Sequence, residues 1–508
     1  MHPASIKEAR NLRNQVWGCV PAATASGTHF NLPASGRIVA RVLEEDQQLS
    51  RGILVLVVVA FAIRLAVIPF LIGDSLNPAR GHWTFGWEEG RLARSIASGE
   101  GFSSPLFGKT GPSAWTGPVY PYLLAGVFRI FGIYTSASAW VILSLNALFS
   151  ALTCIPIYLI ARRGFGQRAA IWAGWIWAFY PYAIYFAGGR IWGFCLDALM
   201  MALVIWCTIA IERETSVPRW IGYGLLWGFA ALNNAVILAT LPFLLGWVIW
   251  RRQKHGMAWR LSSAVVMVML VLVVMPWFVR NYRTFGQFIP FRSEFWYVFW
   301  QSNTGDTSDI YPDWANAAHN SSEMEQYRQL GEIGYMQEKR LASLEFLRRY
   351  PGLFVWLTAK RVIFTWTGFW SLRRDYLAHE PFAFPNIAFC SGLGILLIAG
   401  VRKAYRINRS AVIPLGLVLF SYPLVYYIVH PGMDYRHPID PIYAVFIGVL
   451  CSTWAKHRVE AVAVTQPEQN ARIKCLKAKG CRHRGRTWGL TAAYTLPLTS
   501  HAHLITMY

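Results

Sequence analysis

Glu88 and Glu89 stand side by side just after the first apolar run of this 508-residue chain. Their surroundings read WTFGWEEGRLARSIASGEGFSSP, then GPSAWTGPVYPYLLAGVFRIFG. An acid at the edge of a bilayer is costly to desolvate unless it is paired or used. The pair therefore suggests an active site at the outer membrane–water interface, with a carboxylate as its working group. Residues 88–98 read as a short helix that stops at Gly99, with Leu92, Ala93, Ile96 and Ala97 as its apolar face. A structural role is open on these residues alone: acids favour a helix N-terminus, and Arg91 lies close enough to pair with them.

Cations and aromatic residues occur at other apolar edges. The segment PWFVRNYRTFGQFIPFRSEFW carries Arg280, Asn281, Arg283 and Arg292. A later one, HPGMDYRHPIDP, carries Arg436 and His437, with Asp434 and Asp440 as alternative partners for them. Arg190 follows a third run. Guanidinium groups match phosphate oxygens in a two-pronged way, and snorkelling to the interface is the competing explanation. Trp115, Tyr120 and Tyr122, in a loop rich in Gly, Ser and Pro, could grip an acyl chain, a sugar face or the headgroup layer.

These side chains must be positioned by membrane-spanning helices. The chain is 55% hydrophobic and 15% aromatic with only 15% charged residues, the composition of an all-α integral membrane protein. Runs of membrane-spanning length fall near 52–73, 139–161, 169–188, 191–211, 219–233, 235–250, 260–279, 382–401, 411–430 and 439–455. Pro118–Gly132 is short, and Leu353–Trp370 carries Lys360 and Arg361 in its middle; both read as interfacial helices, with the charges of the second turned to water. With the N-terminus inside, about ten spans put Arg162-Arg163, Arg251-Arg252, Arg402-Lys403 and the C-terminus on the cytoplasmic side. The outward segments are then loops 74–138 and 280–381, two tight turns at Gly188–Arg190 and Asn233-Asn234, and His430–Pro438.

Residues 1–50 and 456–508 lack a sustained apolar period and read as disordered cytoplasmic tails, the second basic enough to touch anionic lipid. They flank one transmembrane domain, 51–455. The net charge of +22 follows the cytoplasmic bias of Lys and Arg, and no nucleic-acid module accompanies it. The eight cysteines give no disulfide framework, and the Cys475, Cys481, His483 tract lacks a fourth metal ligand. The first apolar run begins behind about fifty polar residues, so it reads as a retained signal anchor.

Taken in order, W-E-E-G-R-L-A-R-S-I-A-S-G-E-G-F-S-S-P, G-P-S-A-W-T-G-P-V-Y-P, F-G-Q-R-A-A, P-W-F-V-R-N-Y-R-T-F-G-Q-F-I-P-F-R-S and Y-R-H-P-I-D-P resemble the GT-C membrane glycosyltransferases, in the group of family 39 and the dolichyl-phosphate-mannose-protein mannosyltransferases. The resemblance covers about residues 52–455 and neither tail. It implies a polyprenyl-phosphate-linked sugar donor, a protein, lipid or glycan acceptor on the outer face of the cytoplasmic membrane, and transfer of a hexosyl or pentosyl group with inversion. It places the catalytic acid on Glu88, with Glu89 the close alternative, and leaves open whether an acid there is the base or holds a divalent metal. Arg280, Arg292 and Arg436 become candidates for the donor phosphate. Arg91, Tyr120, Arg190, Asn281 and His437 complete the expected substrate contacts. One departure stands out: such proteins often carry an acid after Ile-Trp, where this chain has Gly193, and Asp197 follows one turn later. No nucleotide fingerprint is present. A transporter of lipid-linked saccharide is the rival from another class, and a catalytically silent homologue is a second.

Overall fold

The computed structural model describes residues 34–77, 85–304, 313–368 and 383–453. Most of both tails, including their cysteines, and Trp83 of the first motif lie outside the described residues. Contacts gather residues Met1–Ser452 into one unit, apart from Thr453–Tyr508. Among the described residues the elements are helices, joined by turns and one isolated bridge between Ser103 and Pro112.

Among the described residues seven helices are long and apolar enough to cross a membrane: Arg51–Leu71, Ser136–Phe165, Phe194–Ile211, Ala235–Lys254, Arg260–Phe285, Ala383–Ile407 and Arg409–Ile428. The chain is a multi-pass helical membrane protein. The three other expected spans are helical but differ in form. The run 169–188 is two helices, Gln167–Ala178 and Pro181–Gly189. Pro181 cannot donate to the preceding turn, and it holds Tyr180 in extended backbone (φ −68°, ψ 117°). Val217–Asn233 has 17 residues. The last run is helical over 440–453, where the described residues end.

Two expectations change. Residues 34–50, read from sequence as disordered, continue the first span as one helix, Ala34–Leu71. Their Ala, Arg, Leu, Glu and Gln content favours that state. The helix Pro351–Thr367 does not turn both its charges to water. Arg361 is buried and donates to Asn303 Oδ1 (3.0 Å), to the Ser302 carbonyl and to the Ile428 carbonyl (3.3 Å). The cost of that buried charge is offset by acceptors at the C-terminal ends of two other helices, Phe295–Ser302 and Leu424–Ile428, which no local pattern reveals.

Close packing fixes the walls of the site. Val217–Asn233 lies against Arg260–Phe285 at two glycines: a Cβ on Gly224 would come within 2.8 Å of the Val266 carbonyl oxygen, and one on Gly228 within 2.5 Å of the Val273 side chain. Small residues permit such approach between membrane helices. The two long loops are tied by Glu332, which accepts from the Ala114 N–H and the Ser293 hydroxyl, both at 2.7 Å, and from Tyr327 at 3.2 Å.

Candidate active site

A cavity of about 1000 Å³ draws its walls from distant segments: 87–89, 115–116, 181–197, 233–234, 292–301, 316–319, 383–389 and 422–438. All of these fall in the expected outward loops or at the helix ends beside them.

The first wall is the helix Trp87–Ala97, whose first turn carries both acids. The tight entry to that helix depends on Gly90, because a Cβ there would strike the Phe85 carbonyl oxygen at 1.9 Å. Glu88 is half-buried and lines the cavity. Burial raises its carboxyl above the ordinary range, while Arg91 and a backbone N–H pull it part of the way back. Glu89 is 6% exposed and accepts from the Gly193 backbone N–H at 3.3 Å. Its carboxyl is pushed well above the usual range, first by burial and second by the charge of Asp197.

Asp197 lies in the first turn of Phe194–Ile211 and is held by two amides. Asn233 Nδ2 donates to one oxygen at 2.6 Å and Asn234 Nδ2 to the other at 3.0 Å. The acid missing at position 193 is therefore matched, one turn on, by a carboxylate in the same cavity as Glu89.

Of the expected cations, the cavity receives two. Arg292 pairs with Glu294 at 2.8 Å, and that carboxylate favours its charge against the burial that opposes it. Arg190 donates to the Tyr185 hydroxyl at 3.1 Å, with its guanidinium carbon 5.2 Å from the centre of the Trp87 ring. Glu294 is pushed up to about 7 by burial, against the pull of Arg292.

The others are placed elsewhere. Arg280 donates to the carbonyls of Ser113 and Phe102 (2.8 Å for the latter) and lies over the Trp277 ring, so it shapes the first loop. Asn281 accepts from Arg280 at 3.0 Å and donates to the Ile289 carbonyl at 3.0 Å. Arg436 is 2% exposed; it donates to Asp440 (3.2 Å) and the Thr365 carbonyl (3.3 Å). His437 Nδ1 meets the other Asp440 oxygen at 3.1 Å, and its ring stacks on Trp177. Of the two partners the sequence offered Arg436, Asp440 is the one engaged, while Asp434 lines the cavity. Arg91 reaches the Pro105 carbonyl at 3.5 Å and covers the Phe107 ring. Tyr120 is buried and donates to Asn146 Oδ1 at 3.0 Å, behind Gly193.

Sequence reasoning missed Glu294, Asp434 and His319 as cavity residues. Glu294 was within reach, since an acid two positions after an outward arginine is a pairing signal. Asp434 was read only as a partner for Arg436. His319 comes from a loop with no periodic signal and reaches the cavity by tertiary folding alone.

Comparison with known proteins gives one sequence match and several fold likenesses. Residues 115–279 match the family described as dolichyl-phosphate-mannose-protein mannosyltransferase. No curated protein matches significantly. The oligosaccharyltransferase AglB from Archaeoglobus fulgidus, solved with an inhibitory peptide and a dolichol-phosphate, is 16% identical with a TM-score of 0.46, over 85% of this chain and 52% of that one. The chain thus spans about half the length of that protein. ArnT from Cupriavidus metallidurans, solved with undecaprenyl phosphate, is 15% identical with a TM-score of 0.36, over 78% of this chain and 76% of that one. The sequence match runs from within the first loop to just before Arg280, so it is over residues 115–279 that this membrane protein is similar to the dolichyl-phosphate-mannose-protein mannosyltransferase family.

Proposed function

We propose that the protein is a glycosyltransferase that moves a sugar from a polyprenyl-phosphate-linked donor to a protein, lipid or glycan acceptor at the outer face of the cytoplasmic membrane, with both termini cytoplasmic. One observation carries this reading: a single cavity brings Glu88, Glu89 and Asp197 together with Arg190 and Arg292. Transfer from a sugar phosphate needs a proton acceptor for the incoming group and cations for the leaving phosphate. Both kinds of group line this cavity, beside aromatic rings suited to a sugar and an isoprenoid chain.

The roles follow from placement. Glu88, in the first turn of its helix and open to the cavity, takes the acceptor's proton. Glu89 and Asp197 fix the floor beside it. Arg292 holds the donor phosphate, and Arg190 assists from the wall it shares with Trp87. Attack on the anomeric carbon from the side opposite the phosphate inverts its configuration. The hexosyl or pentosyl nature of the group is part of this proposal.

A divalent cation fits the donor set in a limited way. Among the described residues no three or more His, Cys, Asp or Glu side chains converge as ligands. Glu89 and Asp197 are two carboxylates in one cavity, and Asn233 Oδ1 is buried without a hydrogen-bond partner. Hard cations such as Mg²⁺ are commonly held by one or two carboxylates plus substrate phosphate. Glu89 and Asp197 would hold such an ion, which would supply charge neutralisation for the departing phosphate.

The test is direct. Purified protein in vesicles is given a labelled polyprenyl-phosphate sugar, and glycolipids and glycoproteins from cells with and without the gene are compared by mass spectrometry. Product that depends on Glu88 is expected. Movement of the labelled lipid across the vesicle membrane with no transfer would replace this reading with a transporter.

A further inference from the structure

Trp87 has a backbone that suits glycine. Its φ is +43°, directly after Gly86 at +83°. Bulky residues rarely occupy positive φ, and where they do the surroundings must over-determine them. The turn itself asks for no indole at this position, since glycine or asparagine would relax it. The ring's surroundings therefore call for an explanation.

That ring is half-buried in the cavity wall, immediately before Glu88. It packs on Trp192 with ring centres 5.1 Å apart and planes tilted by 41°. Trp192, also half-buried, stacks at 13° on Phe194 with centres 5.2 Å apart. Arg190 adds its cation beside Trp87. The wall thus runs from a guanidinium through two indoles that border the cavity, next to the acids Glu88 and Glu89. An apolar chain alone would be served by any of the aliphatic surface of the spans. Rigid indoles beside carboxylates suit a ring with apolar C–H faces and hydroxyl edges.

We propose that Trp87 and Trp192 form the platform on which the sugar ring of the donor rests, and that Trp87 determines sugar-dependent binding. This rests on the transferase reading and names the subsite of that cavity which takes the sugar, as distinct from the phosphate at Arg292.

The experiment measures binding to purified protein in detergent with two probes, short-chain polyprenyl phosphate and the same lipid carrying mannose. Trp87→Gly relaxes the backbone but gives up the packing on Trp192, so its thermal unfolding is read on the same samples and should stay cooperative. Binding of the mannosyl lipid should weaken by about 10-fold, the scale of one lost aromatic contact, while the bare phosphate binds as before. Trp87→Phe should retain most of the sugar-dependent gain. Trp87→Asn, which also tolerates positive φ, repeats the test if the glycine variant is poorly made. Equal weakening of both probes, no weakening of either, or a wild type that never distinguishes them would overturn the platform. Sugar-dependent binding that needs Trp87 in a protein that never transfers would keep the platform and remove the transferase reading.

Discussion

The Glu89 carboxylate accepts its hydrogen bond from the backbone N–H of Gly193, at 3.3 Å, at the position where the resemblance leads one to expect an acid. A peptide N–H in that place gives the buried carboxyl group a donor. Asp197, one helical turn on, faces the same cavity. Where the expected motif has an acid, this chain thus has a backbone donor, with a carboxyl group one turn away.

The first prediction separates the two neighbouring glutamates. Glu88→Gln should express and bind donor normally but lose at least ~100-fold in transfer rate, because it removes the proton acceptor and little else. Glu89→Gln keeps an oxygen for the Gly193 N–H. It should raise the divalent-cation concentration needed for half-maximal transfer by about 10-fold. Steady-state rates over a cation titration read both. Full activity of Glu88→Gln would end its role as base, and equal rates with and without a chelator would remove the cation.

The second concerns the arginines. Arg292→Ala should weaken donor binding by about 10-fold or more, as expected for losing a charge-assisted phosphate contact of ~1.5–3 kcal/mol. Arg280→Ala and Arg436→Ala should act on stability instead, since their partners are Ser113, Phe102, Thr365 and Asp440. Removing Arg436 leaves the Asp440 charge buried with His437 alone, a change of the kind that costs ~3–5 kcal/mol. Donor isotherms and thermal unfolding on the same samples distinguish the two classes. Strong donor weakening in a stable Arg436→Ala protein would contradict this division.

How far the sequence reached follows from the range of each signal. Apolar runs of membrane-spanning length coincide with seven long helices because bilayer thickness sets their length, and Glu88, Glu89, Arg190 and Arg292, singled out as polar residues of the outward segments, line the cavity. Arg280 and Arg436 carry the same local signal as Arg292, yet they bind carbonyls and an acid within the protein. No pattern within a segment distinguishes a guanidinium facing a cavity from one facing the Phe102 carbonyl 178 positions away. The break at Tyr180-Pro181 was legible in the proline, whereas the role of Asp197 needed the Asn233-Asn234 turn to be brought beside it.

The third prediction is a pH dependence. Glu294 is held up to about 7 by burial, so it is neutral below that pH and pairs fully with Arg292 above it. Its folded value lies above the ordinary carboxyl value of 4.5. Its contribution to stability is therefore complete below the ordinary value and is lost as pH rises through about 7. Donor phosphate should bind more tightly on the acid side, where Arg292 has no neutralising partner. Glu294→Gln should flatten both trends. Donor affinity that is level from pH 5 to 9 in the wild type, a range of roughly two units either side of neutrality, would sink the linkage.

Arg64 provides the last prediction, because two opposed effects meet there. It lies within the span Arg51–Leu71 and is 0% exposed. An arginine at such a depth costs roughly 2.5–3.5 kcal/mol to insert, so an apolar replacement should stabilise the protein if the charge has no task. Four of its five N–H donors, however, meet acceptors on other turns. Nε meets Ser150 Oγ at 2.8 Å, Nη1 the carbonyls of Ala60 (2.9 Å) and Ala178 (3.0 Å), and Nη2 that of Trp177 (3.0 Å). Two of these carbonyls end the helix Gln167–Ala178, where a helix leaves acceptors unsatisfied and favours a cation. Arg64 therefore fastens the broken span, and the helix beyond the break, Pro181–Gly189, leads directly to Arg190 in the cavity wall. The Trp177 carbonyl keeps the Tyr180 N–H at 3.2 Å, but the Ala178 carbonyl and Ser150 Oγ lose their donor. At about 1–3 kcal/mol for each buried acceptor left unmet, Arg64→Met should lower stability by about 1 kcal/mol net and raise the donor KM through misplacement of Arg190, with Arg64→Lys intermediate. Reversible unfolding in mixed micelles reads the sign. A more stable Arg64→Met protein with unchanged KM would show that the break holds without it.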